Sequence, residues 1–285
     1  MVGISPTAAQ PYRPASNKSS LFVPELPDVQ VYKRYVDRTA LHKAIADVEV
    51  LDETLLDDTS SRSVRRALRG ASFEETRRHG KHLFLHCDSE PWLGLHFGMS
   101  GALKYYKRDE SAPEYTYFRI DFENAYHLAL TMPRKLGRVR LIDDPDAFIA
   151  THDLGPDALG LDVETFRTRL EGRRGMIKSA LMDQSVIAGL GNIYSDEILF
   201  QAGIHPKTNV QDLDEEGQHT LFDAMQEVLE AAIACQADPE QLPVDRFLLP
   251  HRDGDEKDPY SGTPLQKITV SGRTGYYSPA RQPAP

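Results

Sequence analysis

At 285 residues the chain is long enough for two domains, each burying an apolar core of its own. Its 40% hydrophobic and 27% charged residues are ordinary for a globular protein, and no run approaches the roughly eighteen apolar residues of a membrane span, so no membrane partner is expected. The two cysteines, Cys87 and Cys235, are too few for a metal site and too distant in sequence to argue for a disulfide, which favours a reducing, cytoplasmic compartment; the net charge of −10 argues on its face against nucleic acid.

Residues 1–22 are rich in Ser, Pro and Ala without periodicity, which predicts disorder, and they lack the apolar core and cleavage site of a secretory signal. Then comes Pro24-Glu25-Leu26-Pro27-Asp28-Val29. A proline that begins a chain carries a secondary amine able to attack a sugar carbon and form an iminium, whereas the nitrogen of an internal proline is a non-nucleophilic amide. Pro24 is internal as written. Val23 before it fits a GUG start codon read as methionine, and methionine before proline is readily trimmed. Residues 1–23 are therefore expected to be an over-extended start or a processed segment, the rival expectation being that they persist and block the amine.

From Pro27 the apolar positions Val29, Val31, Tyr32, Tyr35, Val36, Leu41 and Ile45 recur at three- and four-residue steps and predict a helix with Pro27 in its first turn. A short helix is expected at 61–68. From 82 to 142 apolar residues alternate between Gly, Pro and Asp turns, the pattern of an antiparallel β-sandwich or barrel. Asp144-Pro145 and Asp153-Leu154-Gly155-Pro156 read as the exit linker. Helical periods return at 164–170, 177–182, 192–200 and 215–233, and from Leu249 short strands with Gly turns form a tail too small for a core of its own. The fold class is α+β, with domains at 24–148, 149–246 and 247–285.

The charge is unevenly spread. Segment 131–140 holds Arg134, Lys135, Arg138 and Arg140 with no acid, and 265–285 holds Lys267, Arg273 and Arg281 with none, while acids gather at 212–230 and 253–258. Local basic faces on an acidic body fit DNA binding, and each also reads as a plain solvated face. The most specific segment runs from Leu181 to Pro206: a helix, a Gly-containing turn, and a second helix opened by Asn192, whose N-terminus would offer backbone amides to a phosphate. Asn192 also reads simply as an N-cap, and Lys178 either as a phosphate contact or as a solvated lysine.

Together with Pro24-Glu25, this segment resembles the helix–two-turn–helix element of the formamidopyrimidine-DNA glycosylase and endonuclease VIII family, over a stretch from Pro24 to about Arg281. The resemblance implies that Pro24 attacks C1′ of a nucleotide flipped from the duplex, and that Glu25 protonates the sugar ring oxygen. The resulting iminium then drives β- and δ-elimination. Lys81, in Arg77-Arg78-His79-Gly80-Lys81-His82, matches a β-turn lysine that contacts phosphate and assists the chemistry. Asn192, Lys178 and Arg273, the last in Ser271-Gly272-Arg273-Thr274-Gly275, match phosphate contacts, and Glu197 matches a carboxylate that holds the active-site end. Met99 and Arg134 match two of three side chains that fill the vacated stack. Leu136 occupies the third position, where bacterial relatives commonly carry phenylalanine.

Relatives fold the tail as a four-cysteine zinc finger; here those positions read Asp258, Ser261, Ser278 and Arg281, none a thiolate. The expectation is a zincless β-hairpin finger held by Tyr260, Ile268, Val270, Tyr276 and Tyr277, with no metal and no cofactor. The implied architecture is an N-terminal antiparallel β-sandwich flanked by helices, a helix–two-turn–helix domain and the finger. The implied function is a monomeric glycosylase and abasic-site lyase of base excision repair, acting on oxidised bases in damaged double-stranded DNA at the nucleoid. The alternative is a catalytically silent protein that binds lesions or abasic DNA; a helix–turn–helix regulator leaves Pro24-Glu25 unexplained. The region 237–250 shows no legible base preference.

Overall fold

The computed structural model describes residues 23–88, 90–252 and 256–285, so the expectations for residues 1–22 lie outside it. Helix α1 (Leu26–Thr39) opens with Pro27 in its first turn, where a missing N–H costs nothing, and the Asp28 carboxylate reaches back to the Glu25 N–H at 2.9 Å. It ends earlier than its apolar spacing predicts. Ala40 caps it and His42 takes a left-handed φ of 57°, so Leu41 and Ile45 leave the helix. Ile45 instead begins strand β1 (Ile45–Val50), because a step of four apolar positions does not distinguish a continuing helix from a turn into a strand.

Two four-stranded antiparallel sheets follow. One has the order β2 (Phe73–His79), β3 (His82–Cys87), β4 (Trp92–His96) and β8 (Arg138–Ile142); the other runs β1, β6 (Thr116–Phe122), β7 (Tyr126–Thr131) and β5 (Ala102–Lys107). Their facing sides bury Phe73, Leu83, Leu85, Leu95, Phe118, Ile120 and Leu130 in one core. The sheet region thus begins well before residue 82. Strand β2 gives no apolar alternation because of its seven side chains only Phe73 is buried, the rest being charged or polar. Helix α2 (Ser61–Leu68) packs on β1 and is capped by the Ser60 hydroxyl, which accepts the Ser63 N–H at 3.2 Å. Part of the expected exit linker is helical: Asp144 caps α3 (Pro145–Thr151), and Phe148 packs edge-on against His82 and Phe84.

The helical part comprises α4 (Val163–Leu170), α5 (Ile177–Met182), α6 (Asn192–Ala202) and α7 (Glu215–Ala234), with α6 buried at every position from Ile193 to Phe200. No helix among the described residues is long and apolar enough to cross a membrane. The tail is a hairpin of β9 (Gln266–Val270) and β10 (Arg273–Tyr277), whose Tyr276 joins Leu265, Leu248 and Phe200 in a small core. Helix α1 ties the two large cores together: Leu26 lies in the helical one, while Val29, Tyr32 and Val36 lie in the sandwich. The Pro24-Glu25 pair therefore stands at the junction between them.

Candidate active site and nucleic-acid interface

Pro24 is buried with Val23 before it, and Glu25 is 1% exposed. The Glu25 carboxylate sits at the N-terminus of α6, accepting the backbone N–H groups of Gly191 at 2.6 Å, Ile193 at 2.9 Å and Tyr194 at 3.4 Å. These are donors that a helix start leaves without intrahelical partners, and the positive end of the helix dipole favours a carboxylate there. Glu25 is thus neither solvated nor tied to its own helix alone. A Cβ on Gly191 would lie 2.4 Å from the Glu25 carboxyl carbon, so only glycine lets the two meet.

Gly191, not Asn192, takes the N-cap position, which corrects the simple N-cap reading of Asn192. With its own helix capped from 166 residues away, Asn192 is free to turn outward: its amide donates to the Thr274 carbonyl at 2.9 Å, and its Oδ1 is buried with no hydrogen-bond partner among the described residues. Asn192 therefore joins α6 to the hairpin that carries Arg273, which is exposed at the turn.

Lys81 reaches the same place from the sandwich. Its turn is pinned by Asp157, which accepts the Gly80 N–H at 2.6 Å and pairs with Arg78, and Gly80 has a φ of +53° hard against Ala188 and Gly189. Burial pulls the Lys81 ammonium below its usual range; Glu25 and Asp28 act to raise it and Arg273 to lower it, which puts all three within electrostatic reach of Lys81. The Asp28 carboxyl is pushed up to about 7, chiefly by burial. Residues from both ends of the sequence and from the first sheet thus converge beside Pro24.

Met99, Arg134 and Leu136 also come together. Gly98, at φ +60°, lies so close to Leu136 and Gly137 that a Cβ would fall 2.4 Å from the Leu136 carbonyl carbon, and the Ser100 hydroxyl accepts the Arg134 N–H at 3.2 Å. On these two joined loops Leu136 is 48% exposed, Arg134 exposed and Met99 half-buried, so Met99 is not part of the sandwich core.

Two of the expected site residues are sealed inside the protein. Lys178 is fully buried, its Nζ 2.5 Å from Asp196 Oδ1, so it is neither a solvated lysine nor presented to a phosphate. Asp196 Oδ2 accepts the Tyr276 N–H at 3.0 Å and lies 3.3 Å from Arg252, and burial pulls the lysine pKa down while pushing that of the carboxyl up. Glu197 is also fully buried. It accepts the N–H groups of Leu248 at 3.2 Å and Leu249 at 2.7 Å and the Gln201 amide at 2.7 Å, anchoring the start of the tail.

Burial pushes the Glu197 carboxyl from 4.5 up to about 7, against the opposing pull of those hydrogen bonds. Between those values the folded chain binds a proton that the unfolded chain has lost, so this group's contribution to stability declines as pH rises from about 4.5 to about 7 and is level above. Glu197→Gln is expected to remove a decline of roughly 3 kcal/mol, read as a flatter melting temperature against pH. An unchanged slope would show that Glu197 titrates normally.

In the tail, the positions expected of zinc ligands in a cysteine finger are joined by hydrogen bonds. Asp258 accepts the N–H groups of Tyr260 at 2.7 Å and Ser261 at 3.1 Å and the Ser278 hydroxyl; burial opposes its charge, but these donors outweigh it and hold the carboxyl below its usual range. Arg281 donates to the carbonyls of Phe200 at 2.8 Å and Gln201 at 3.0 Å and stacks on Tyr260, 4.5 Å from the ring centre. One carboxylate, two hydroxyls and a guanidinium do not fit a zinc ion. The sequence carries no signal that sets Asp157 or Gly191 apart as site residues, and for Asp196 only that of an acid four residues after Asn192.

Two family descriptions match the chain: the formamidopyrimidine-DNA glycosylase N-terminal domain over residues 23–139, opening one residue before Pro24, and the corresponding H2TH domain over 154–242. Formamidopyrimidine-DNA glycosylase of Arabidopsis thaliana is 32% identical over 91% of this chain and 71% of its own length, and that of Synechocystis sp. is 32% identical over 92% and 99%. Among solved structures, the Lactococcus lactis enzyme non-covalently bound to abasic-site DNA superposes with a TM-score of 0.82 at 27% identity, covering 91% of this chain and 100% of that one. MutM in complex with DNA containing carbocyclic 8-oxo-G gives 0.82 and 27%, over 92% and 100%. With the Glu25 cap on α6, the Lys81 turn and the paired sheets in place, the chain belongs to the formamidopyrimidine-DNA glycosylase family.

Proposed function

We propose that this protein is a DNA glycosylase of base excision repair that also cleaves the abasic strand, acting as a monomer on oxidised bases in double-stranded DNA in the nucleoid-associated cytoplasm. The observation that carries the reading is the convergence of Glu25, Lys81, Asn192 and Arg273 beside Pro24 at the junction of the two large cores. Its relatives and structural neighbours, named for formamidopyrimidine and bound to damaged DNA, support it.

In this reading residues 1–23 are absent from the active form. The free Pro24 nitrogen attacks C1′ and the bond to the base breaks, the base leaving with the electron pair and a proton. Glu25 protonates the ring oxygen, and the sugar opens to an iminium on Pro24. The iminium acidifies C2′, so elimination expels first the 3′ and then the 5′ phosphate, and water releases the sugar remnant from Pro24. Lys81, Arg273 and Asn192 hold the phosphates, while Met99, Arg134 and Leu136 fill the vacated stack. Leu136 lacks an aromatic face, so it wedges without stacking. Lys178 and Glu197 support this site from within: the first joins α5 to α6 and the hairpin, the second fixes the tail.

Borohydride trapping tests the assignment. A chain beginning at Pro24 is expected to form a covalent adduct with an abasic duplex, mapped by mass spectrometry to Pro24, and a chain with residues 1–23 retained to form none. Tight binding by the trimmed chain without any adduct would favour the silent binder.

A further inference from the structure

Helix α5 sends two adjacent side chains to the hairpin. Lys178 points inward to Asp196, whose other oxygen accepts the Tyr276 N–H at 3.0 Å, and the ammonium packs so close to β10 that a Cβ on Gly275 would fall 2.1 Å from it. Ser179, half-buried, meets the exposed Ser271 at the hairpin turn, hydroxyl to hydroxyl at 2.8 Å. Between these two ties the Asn192 amide donates to the Thr274 carbonyl at 2.9 Å. The exposed Arg273 is thus bracketed, with one tie two residues before it and the next one residue after it.

The backbone of the turn sets Ser271 apart. Val270 pairs with Arg273, which leaves Ser271 and Gly272 as a two-residue connection in which both take a positive φ, 49° and 72°. Such a turn suits asparagine, aspartate and glycine, and serine is a poorer fit to it. A side chain kept on a strained backbone points to a task for that side chain, and the Ser271 hydroxyl has its partner 92 residues away. The base of the hairpin is held separately, by Asp258 and Ser278. Two five-residue strands are marginal on their own, so the tip draws on its contact with α5.

We infer that the Ser179–Ser271 hydroxyl pair fixes the turn against α5 and so aims Arg273 at the DNA backbone, which makes both serines positioning residues. The inference rests on the proposed phosphate contact of Arg273. Ties at Thr274 and Tyr276 both lie beyond the arginine on β10, so a hairpin held by them alone still pivots and carries Arg273 with it. The third tie stands on the other side of Arg273 and removes that freedom. Neither serine is charged, so losing one costs aim and leaves the basic field of the hairpin intact.

The test is the affinity of the full chain for a duplex holding a tetrahydrofuran abasic-site analogue, read by fluorescence anisotropy. Ser179→Ala and Ser271→Gly are each expected to weaken binding by about three- to tenfold, the worth of one net hydrogen bond, and the two together by no more than either alone. Ser179→Thr, which keeps the hydroxyl, should restore the affinity. In a chain already carrying Arg273→Ala, itself weaker, neither serine change should cost anything further. Glycine suits the positive φ better than serine, so Ser271→Gly should melt close to the unaltered chain, which separates lost aim from a loosened fold. Unchanged affinity in the serine variants while Arg273→Ala weakens binding would overturn the inference alone, as would an undiminished serine effect in the Arg273→Ala background. Unchanged affinity in Arg273→Ala would overturn the phosphate contact and the inference with it.

Discussion

Glu25→Gln lowers base excision by about a hundredfold or more, the usual worth of a positioned general acid, whereas Glu25→Ala also lowers stability. The two effects separate because this carboxylate has two tasks. Toward the proposed sugar it is the proton donor; toward the protein it accepts the N–H groups of Gly191, Ile193 and Tyr194 at the start of a helix buried on every side. Glutamine keeps the length and one acceptor oxygen but turns an NH2 group toward one of those donors, at a cost of about 1–3 kcal/mol. Alanine leaves all three without an acceptor at a buried site, and a drop in melting temperature at least twice that of the Gln variant is expected. Single-turnover excision on a lesion duplex and thermal melting measured on the same preparations check this. Full excision by the Gln variant would reduce Glu25 to a cap, and an unshifted melting temperature in the Ala variant would remove the cap.

What could be read from the chain alone follows from how local each cause is. Helices at 61–68 and 177–182 are set by apolar steps, the first with the Ser60 cap beside it, and the structure has them with those bounds. Strand β2 is held by its pairing with β3 while its own side chains stay polar, so its sequence carries no strand signal. Helix α1 stops where His42 adopts a left-handed backbone, a choice dictated by the strand that follows rather than by apolar spacing.

The site residues divide the same way. Pro24, Glu25 and Lys81 are legible because short motifs surround them, and their convergence with Arg273 is what the fold adds. Nothing local says that Glu25 caps a helix 166 residues away, because a first-turn carboxylate looks the same whichever helix it serves. Burial is equally silent: a lysine and two acids on helices read as solvated charges, and only the packed tail reveals that Lys178, Asp196 and Glu197 are sealed from water. For the finger, the missing cysteines state what does not hold it. The replacement, Asp258 gathering two backbone N–H groups and the Ser278 hydroxyl, arises only in the folded tail.

Asp196→Ala is expected to destabilise the protein by about 3–5 kcal/mol, the range for stripping one partner from a buried ion pair. Lys178 would remain fully buried with no counter-charge, and Arg252 and the Tyr276 N–H would lose their common acceptor. There is no room for the ammonium to withdraw toward β10, since it already sits where a Cβ on Gly275 would be, 2.1 Å away. Replacing both partners with apolar residues, Lys178→Met with Asp196→Leu, should recover part of the loss, because the desolvation of those two charges is no longer needed. About 1–3 kcal/mol each should remain for the orphaned Tyr276 N–H and for Arg252, which is nearly buried and loses the same acceptor. Denaturant titrations of Lys178→Met, Asp196→Leu and the double yield the coupling directly. The singles should also weaken binding to abasic duplex, because Asp196 holds the strand that carries Arg273 against α6. If Asp196→Ala costs less than about 1 kcal/mol, the lysine reaches water and the pair is not what fixes the hairpin.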